Sequence, residues 1–387
     1  MLTNGYLAGL LSFVLLILLK IHGPDVVNGP IQDAFTYAPT VGYLIGQFGK
    51  IGLIAVVCII LVGSIMMTAA NGTTPSGLMW MVMISRSIIG LGLGGEFPCS
   101  ATSSSELISG INVKRRGMAL LWVGMSATFT PCQAYRLKYM KDMTYEGNIS
   151  NERKVPASII IRRYWFLVLI PSVLWALYDF IYFPSSMFSG VILDRVAKDA
   201  PLIQTCAWNI LINAFYVPGM LVSGALVDII GRRWTVILGL TGQAIIGFIL
   251  GIWYQQLVDH YFPLFVVLYG IMLGLGEVYG YVGSICVLES TPQHIRGTAY
   301  GIAAGSGKIG GVAGSASHSA LVNRFGLTGA FITIGITASV SALIAALFLQ
   351  ETRGERMMEK CDEEYERYLK QCGFGGRLKD TESDEEM

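Results

Sequence analysis

Long apolar runs with short polar breaks dominate this chain. They cover residues 51–70, 77–100, 117–135, 164–193, 204–230, 235–254, 262–288, 297–320 and 327–349, and each is long enough to cross about 30 Å of hydrocarbon as a helix. Two weaker segments, 5–20 and 38–48, come before them. Beyond Arg353 the chain becomes charged, and its last residues, 380–387, are expected to be solvated and disordered. The elements predicted are therefore membrane helices, and the fold class is an all-α membrane protein.

Composition agrees. Of 387 residues, 53% are hydrophobic and 14% charged, with a mean hydropathy of +0.57, whereas a soluble domain carries about 25% charged residues. The net charge of +1 says little, but its distribution says more. Lysines and arginines cluster at 114–116, across 136–163, at Arg232 and Arg233, at Arg296 and from Arg353 on, while the loops 70–76 and 255–261 contain none. Short loops rich in Lys and Arg stay cytoplasmic, so the basic loops are expected inside and the other two outside. The seven cysteines follow no ligand spacing and most lie in apolar runs; they read as small packing residues. The residues imply no cofactor, metal or nucleic-acid partner, and no nucleophile and base pair of an enzyme.

Loop charge also exposes a conflict. The single run 117–135 joins two basic loops, 114–116 and 136–163, which would both have to be cytoplasmic. One crossing cannot return a chain to the side it left, so either the run is re-entrant or a spanning segment between Thr130 and Arg136 is missing. The second half has no such conflict. Six runs from Tyr164 to Leu349 are joined by short loops, as expected of a six-helix transporter half. Arg195, Lys198 and Arg324 fall in loops that this count places outside, which weakens the charge bias without reversing it.

Four groups of residues carry candidate chemistry. Lys308 stands in the glycine-rich stretch Gly305-Ser-Gly-Lys308-Ile-Gly-Gly. An ammonium at mid-bilayer costs roughly 2.5–3.5 kcal/mol on insertion scales, so it demands a cavity and a partner, and an anion site is the default reading. In Trp175-Ala-Leu-Tyr178-Asp179-Phe-Ile-Tyr182-Phe183, spacings of three and four frame an acid with aromatics on one helix side. Glu96 follows the small-residue pattern Arg86-x-x-x-Gly90-x-Gly92-x-Gly94-Gly95; the glycines form a packing face, and a desolvated carboxylate in a membrane is a natural proton carrier. Finally, Gly224-Ala-Leu-Val-Asp228-Ile-Ile-Gly231-Arg232-Arg233 puts an acid and a basic pair in one tight loop. It reads either as a positive-inside anchor or as a charge clamp between adjacent helices. Glu277, Tyr279 and Tyr281 add polarity to the preceding run, and His318 reads as a packing histidine.

These motifs resemble a known family. The Asp228 loop and Gln350-Glu351-Thr352-Arg353-Gly354 are similar to two loop elements of the major facilitator superfamily. Gly94-Gly-Glu96-Phe97-Pro, Trp175-x-x-Tyr178-Asp179 and Arg296-Gly-Thr with Gly-Lys308-Ile-Gly resemble its phosphate:proton symporters, and more particularly the fungal glycerophosphodiester permeases that import glycerophosphoinositol and glycerophosphocholine. The resemblance implies two six-helix halves in the lipid bilayer, a small organophosphate anion and protons as partners, and a plasma-membrane setting. By the same resemblance Lys308, Asp179, Trp175, Tyr178, Phe183 and Phe97 would line the substrate site, and Glu96 and Asp179 would carry protons. Phe97 and Phe183 stand where phosphate carriers have tyrosine, which suits a larger ester than phosphate.

Set against the family pattern, the chain lacks the end of a helix and a first charged loop near Gln47, and a sixth helix near Thr130. The division expected is an incomplete bundle at 1–135, a cytoplasmic central loop at 136–163, a six-helix bundle at 164–352 and a disordered cytoplasmic tail at 353–387. Inorganic phosphate, a neutral polyol, and a non-transporting fragment or sensor remain open as alternatives. Protease accessibility in oriented vesicles checks the topology: the loops 114–116 and 136–163 are expected to be cut from the same face, and cutting from opposite faces would mean that the family topology is not attained.

Overall fold

The structure, a computed structural model, describes residues 14, 17–21, 29–48, 53–72, 74–108, 157–196, 201–352 and 357–373. Every regular element among them is helical. The run 117–135 and the basic loop at 114–116 lie outside the described residues.

In the first half, α1 (Gly29–Phe48), α2 (Leu53–Thr68) and α3 (Pro75–Ile108) are described, with α1 and α2 both packed on α3. The weak segment expected at 38–48 is the later part of α1, whose earlier turns carry Asp33 and so escape a hydropathy search. Glycines set the contact. Gly42 and Gly46 of α1 face the Ser87 and Leu91 carbonyls of α3, while Gly90 and Gly94 of α3 face the Pro39 and Tyr43 carbonyls of α1. Small residues on both helices let the backbones touch, which is how helices associate without a hydrophobic drive.

The second half comprises α4 (Ala157–Met187), α5 (Ser189–Val196), α6 (Leu202–Ala214), α7 (Tyr216–Ile229), α8 (Arg232–Ile252), α9 (Tyr254–His260), α10 (Phe262–Ser290) and α11 (Gln293–Phe348). The apolar run at 204–230 is broken between α6 and α7, because Pro218 has no N–H to donate to the Ala214 carbonyl one turn back. A straight 56-residue α11 would be roughly 84 Å long. Gly326, at φ 70 and ψ −176, divides it into two spans instead, a conformation essentially confined to glycine. Among the described residues, α3, α4, the α6–α7 pair, α8, α10 and α11 are long and apolar enough to cross a membrane. Large side chains such as Ile203, Trp234 and Ile252 stand exposed on the outer surface, where lipid would meet them.

Two boundaries differ from expectation. Helix α4 begins at Ala157 rather than 164, so Arg162 and Arg163 lie in its first turns and the central loop is shorter than the charge pattern suggested. Nor is the tail disordered throughout, since Met357–Gln371 forms an amphipathic helix, α12. Its apolar face is held: Tyr365 is buried against the rings of Tyr164 and His294, and Tyr368 donates to the Ile159 carbonyl at 3.2 Å. Asp362 accepts the Gln293 N–H at 2.6 Å, placing a carboxylate at the N-terminus of α11. Burial in this contact pushes the Cys361 thiol up to about 11.

The tightest crossing in the second half is between α4 and α11. Gly310 lies against the Ala176 carbonyl and Gly314 against the Phe180 carbonyl, with no room for a methyl group at either position. Gly310→Ala and Gly314→Ala should each lower stability by about 3 kcal/mol, the upper range for overpacking. Melting in detergent and the monodisperse yield check this.

Candidate functional site

Lys308 and Asp179 meet at that crossing. The Lys308 ammonium donates to Asp179 Oδ2 at 2.8 Å, and the two residues are 9% and 2% exposed. The glycines around Lys308 explain the reach. Gly307 faces the Trp175 ring and Asp179 Oδ2, Gly310 and Gly314 bring the two axes together, and Gly311 receives the Phe183 ring. The Lys308 ammonium then sits 4.7 Å from the centre of the Phe183 ring and 5.6 Å from that of Tyr43. Both are favourable cation–π distances. Tyr43 comes from α1, so this pocket joins a first-half helix to two second-half helices.

Aromatic residues surround the pair. Trp175 meets Tyr300 edge-on at 5.6 Å. Tyr178 contacts Tyr182 at 5.1 Å and Tyr279 at 5.4 Å between ring centres, and Tyr182 contacts Tyr216 at 5.9 Å. Glu277 stands beside the Tyr182 hydroxyl, within electrostatic range of Asp179 and Lys308. Glu96 and Phe97 lie on α3, but their side chains fall outside the described residues.

Two further residues belong here, Tyr43, which no motif marked, and Arg86, which the sequence marked only as the start of the glycine pattern. Arg86 is 4% exposed, its guanidinium lies 4.3 Å above the Phe35 ring, and its Nη1 has no hydrogen-bond partner among the described residues. The signal for Arg86 was present, since a lone arginine within an apolar run carries the same insertion cost as Lys308. Tyr43 had no comparable signal, because nothing in a weak apolar segment marks which ring will face a lysine 265 positions later.

At the end that loop charge places inside, the clamp expected around Asp228 has a different acid. Arg232 donates from Nε and Nη2 to the two carboxylate oxygens of Glu289, both at 2.8 Å, whereas Asp228 Oδ1 is 4.0 Å away. Glu289 also accepts from the Thr352 hydroxyl at 2.9 Å. Glu351 accepts the Arg232 N–H at 2.8 Å and the Arg233 N–H at 3.2 Å, and so caps α8 from 119 residues away. Arg233 donates to the Ala346 carbonyl. Gly231 has φ 96, and its missing side chain leaves the space that the Glu351 carboxylate occupies. The two loop motifs noted separately along the chain are thus halves of one network.

This architecture has counterparts. Residues 174–360 match the Major Facilitator Superfamily. The second-half helices of this chain are thus similar to that superfamily. Glycerophosphoinositol permease 1 of Candida albicans is 28% identical over 436 residues, with all of this chain and 83% of that protein covered. Glycerophosphoinositol transporter 1 of Saccharomyces cerevisiae is 27% identical over 441, with coverage of 100% and 84%. Both alignments are longer than the 387 residues of this chain, so those relatives carry internal segments with no counterpart here. The facilitator fold also appears in the proton:xylose symporter XylE, at a TM-score of 0.64 and 16% identity, covering 92% of this chain and 97% of that one.

Within the facilitator frame, further contacts join the halves at the end that loop charge places outside. Ser319 of α11 donates to Asp33 of α1 at 2.7 Å, and Lys20 pairs with Asp194 of α5 at 2.9 Å. For the buried clamp at the other end, removing one partner leaves an uncompensated charge, which costs about 3–5 kcal/mol. Glu289→Gln should therefore lower the melting temperature in detergent far more than Asp228→Asn does.

Proposed function

We propose that this chain is a proton-driven secondary transporter that takes up a glycerophosphodiester, with inositol or choline as the esterifying alcohol, at the plasma membrane. The observation that carries this reading is the buried Lys308–Asp179 pair at a junction of first-half and second-half helices. The lysine supplies a fixed positive charge for a phosphate, and the carboxylate competes with that phosphate for it. When Asp179 takes up a proton, the ammonium loses its internal counter-ion and a phosphodiester anion can replace it. Loss of that proton toward the cytoplasm restores the carboxylate, which repels the anion and recaptures the lysine. Conformational change then needs only differential contacts in the two states. Glu96 is the first-half carboxylate proposed to pass protons, and Trp175, Tyr178, Phe183 and Phe97 are proposed as substrate-lining residues.

Relatives named for glycerophosphoinositol transport support the substrate class. So does the ring chemistry: Phe183 packs over the ammonium without a hydroxyl, which leaves a compact inorganic phosphate short of donors. With this reading goes a division into a first-half bundle to about residue 135, a cytoplasmic link, and a second-half bundle that ends near Thr352. Asp228, Gly231, Arg232 and Arg233, with Glu289 and Glu351, are proposed as the cytoplasmic loop network that changes during rocking of the halves.

Uptake of labelled glycerophosphodiester into proteoliposomes with an imposed proton gradient is the test. Lys308→Ala and Asp179→Asn should each reduce uptake by roughly 10- to 100-fold, the worth of a charge-assisted hydrogen bond. Excess inorganic phosphate should compete poorly. Uptake that ignores both substitutions, or that is unchanged when the gradient is collapsed, would refute the mechanism.

A further inference from the structure

Two buried polar groups stand along the seam between the halves without partners. Arg86 of α3 and Ser315 of α11 are both buried, and neither the Arg86 Nη1 nor the Ser315 Oγ has a hydrogen-bond partner among the described residues. Among those residues Arg86 also makes no ion pair. Buried polar groups are almost always satisfied, and the demand is strictest where no bulk water can substitute.

The helix contacts put both groups in one layer. Along α11, Gly301 lies against the Gln47 carbonyl, Lys308 faces the Tyr43 ring and Ser319 bonds Asp33, so these three positions mark the side of α11 that meets α1. Ser315 follows Lys308 by about two turns and precedes Ser319 by about one, and so falls on that same side. On α1, the stretch between Asp33 and Tyr43 contains Phe35, and the Arg86 guanidinium lies 4.3 Å above the Phe35 ring. Glycines fix this register. Gly94 of α3 meets Tyr43 and Gly90 meets Pro39, and one turn before them Arg86 meets Phe35. The Ser87 hydroxyl secures the level by donating to the Ala38 carbonyl at 3.0 Å.

A ring face satisfies one side of the guanidinium. It leaves the charge unneutralised and Nη1 unused beside an apolar cluster that contains Phe35, Met79, Val82 and Met83. Asp33, in the next layer, is bonded to Ser319 instead. A guanidinium fork and a hydroxyl are donors suited to phosphate oxygens. We propose that Arg86 and Ser315 form a second anion site, between Lys308 and the Asp33–Ser319 contact, which takes the phosphate of an incoming organophosphate before it passes to the lysine. This rests on the reading of Lys308 as the phosphate anchor. Ser315 is roughly 10 Å along the helix from Lys308, too far for one phosphate to bridge, so the two positions are occupied in turn. Arg86 belongs to the first half and Ser315 to the second, so the site is made and broken as the halves move.

Ser315→Cys supplies the probe. In oriented vesicles, a membrane-impermeant thiol reagent added on the side of the Asp33–Ser319 contact should alkylate position 315, read by peptide mass. Saturating glycerophosphoinositol should slow that reaction by about tenfold or more, the worth of one charge-assisted hydrogen bond. The protection should persist when Lys308→Ala is added and vanish when Arg86→Gln is added. Independently, inorganic phosphate should raise the melting temperature of the Lys308→Ala protein but not that of the Lys308→Ala, Arg86→Gln double variant. A cooperative melting transition shows that each variant is folded. No alkylation at 315 from that side, protection that disappears with Lys308→Ala, or protection that survives Arg86→Gln would overturn the proposal. If uptake still requires Lys308 in that case, the transporter reading stands and only the second site falls. If uptake ignores Lys308→Ala, the phosphate anchor itself is wrong.

Discussion

A positive charge at mid-bilayer has to be neutralised inside the protein, and much of this structure follows from that demand. Lys308 cannot stand in lipid, so α11 must turn it inward to a carboxylate. The carboxylate is Asp179 on α4, and a hydrogen bond of 2.8 Å requires the two helices to approach closely. The run of glycines from Gly307 to Gly314 makes that approach possible by letting backbone meet backbone. The pair and the helix contact are therefore one feature: without the glycines the charge would lack its partner, and without the charge the groove would have no evident use.

The end that carries the Asp228 loop is organised by a second buried charge. Arg232 is held by Glu289 across from α10, while Glu351 caps the start of α8 and Thr352 completes the carboxylate's contacts. Three chain segments far apart in sequence thus converge on one network. Buried pairs of this kind add little net stability but are expensive to break singly, which suits a junction that holds as a unit or opens as a unit. The docked helix α12 adds a brace beside it, with Asp362 on the start of α11 and Tyr365 between Tyr164 and His294.

The two ends differ in what joins them. At the end opposite the Asp228 loop, Asp33 with Ser319 and Lys20 with Asp194 link first-half to second-half elements. The Arg232 network lies within the second half alone. Between the two levels, Tyr43 of α1 faces Lys308, so the proposed site sits where the halves touch. Contacts that cross the halves must change during alternating access, and contacts within one half can persist through it.

Much of this was legible along the chain. Apolar runs located the spanning helices of the second half, because a helix that must cross lipid needs about 20 apolar residues whatever surrounds it. A glycine-flanked lysine and an aromatic-framed aspartate identified themselves by cost alone. The sequence could not say where α1 begins, since Asp33 lowers the hydropathy of its first turns, or that 357–371 would fold, since an amphipathic helix declares itself only against the surface it covers. Nor could it choose partners. Asp228 lies four residues from Arg232, yet Glu289, 57 residues away, takes the guanidinium, because helix rotation and axial register decide which groups meet. Sequence determined which charges had to be buried; only the packing of the helices decided with what.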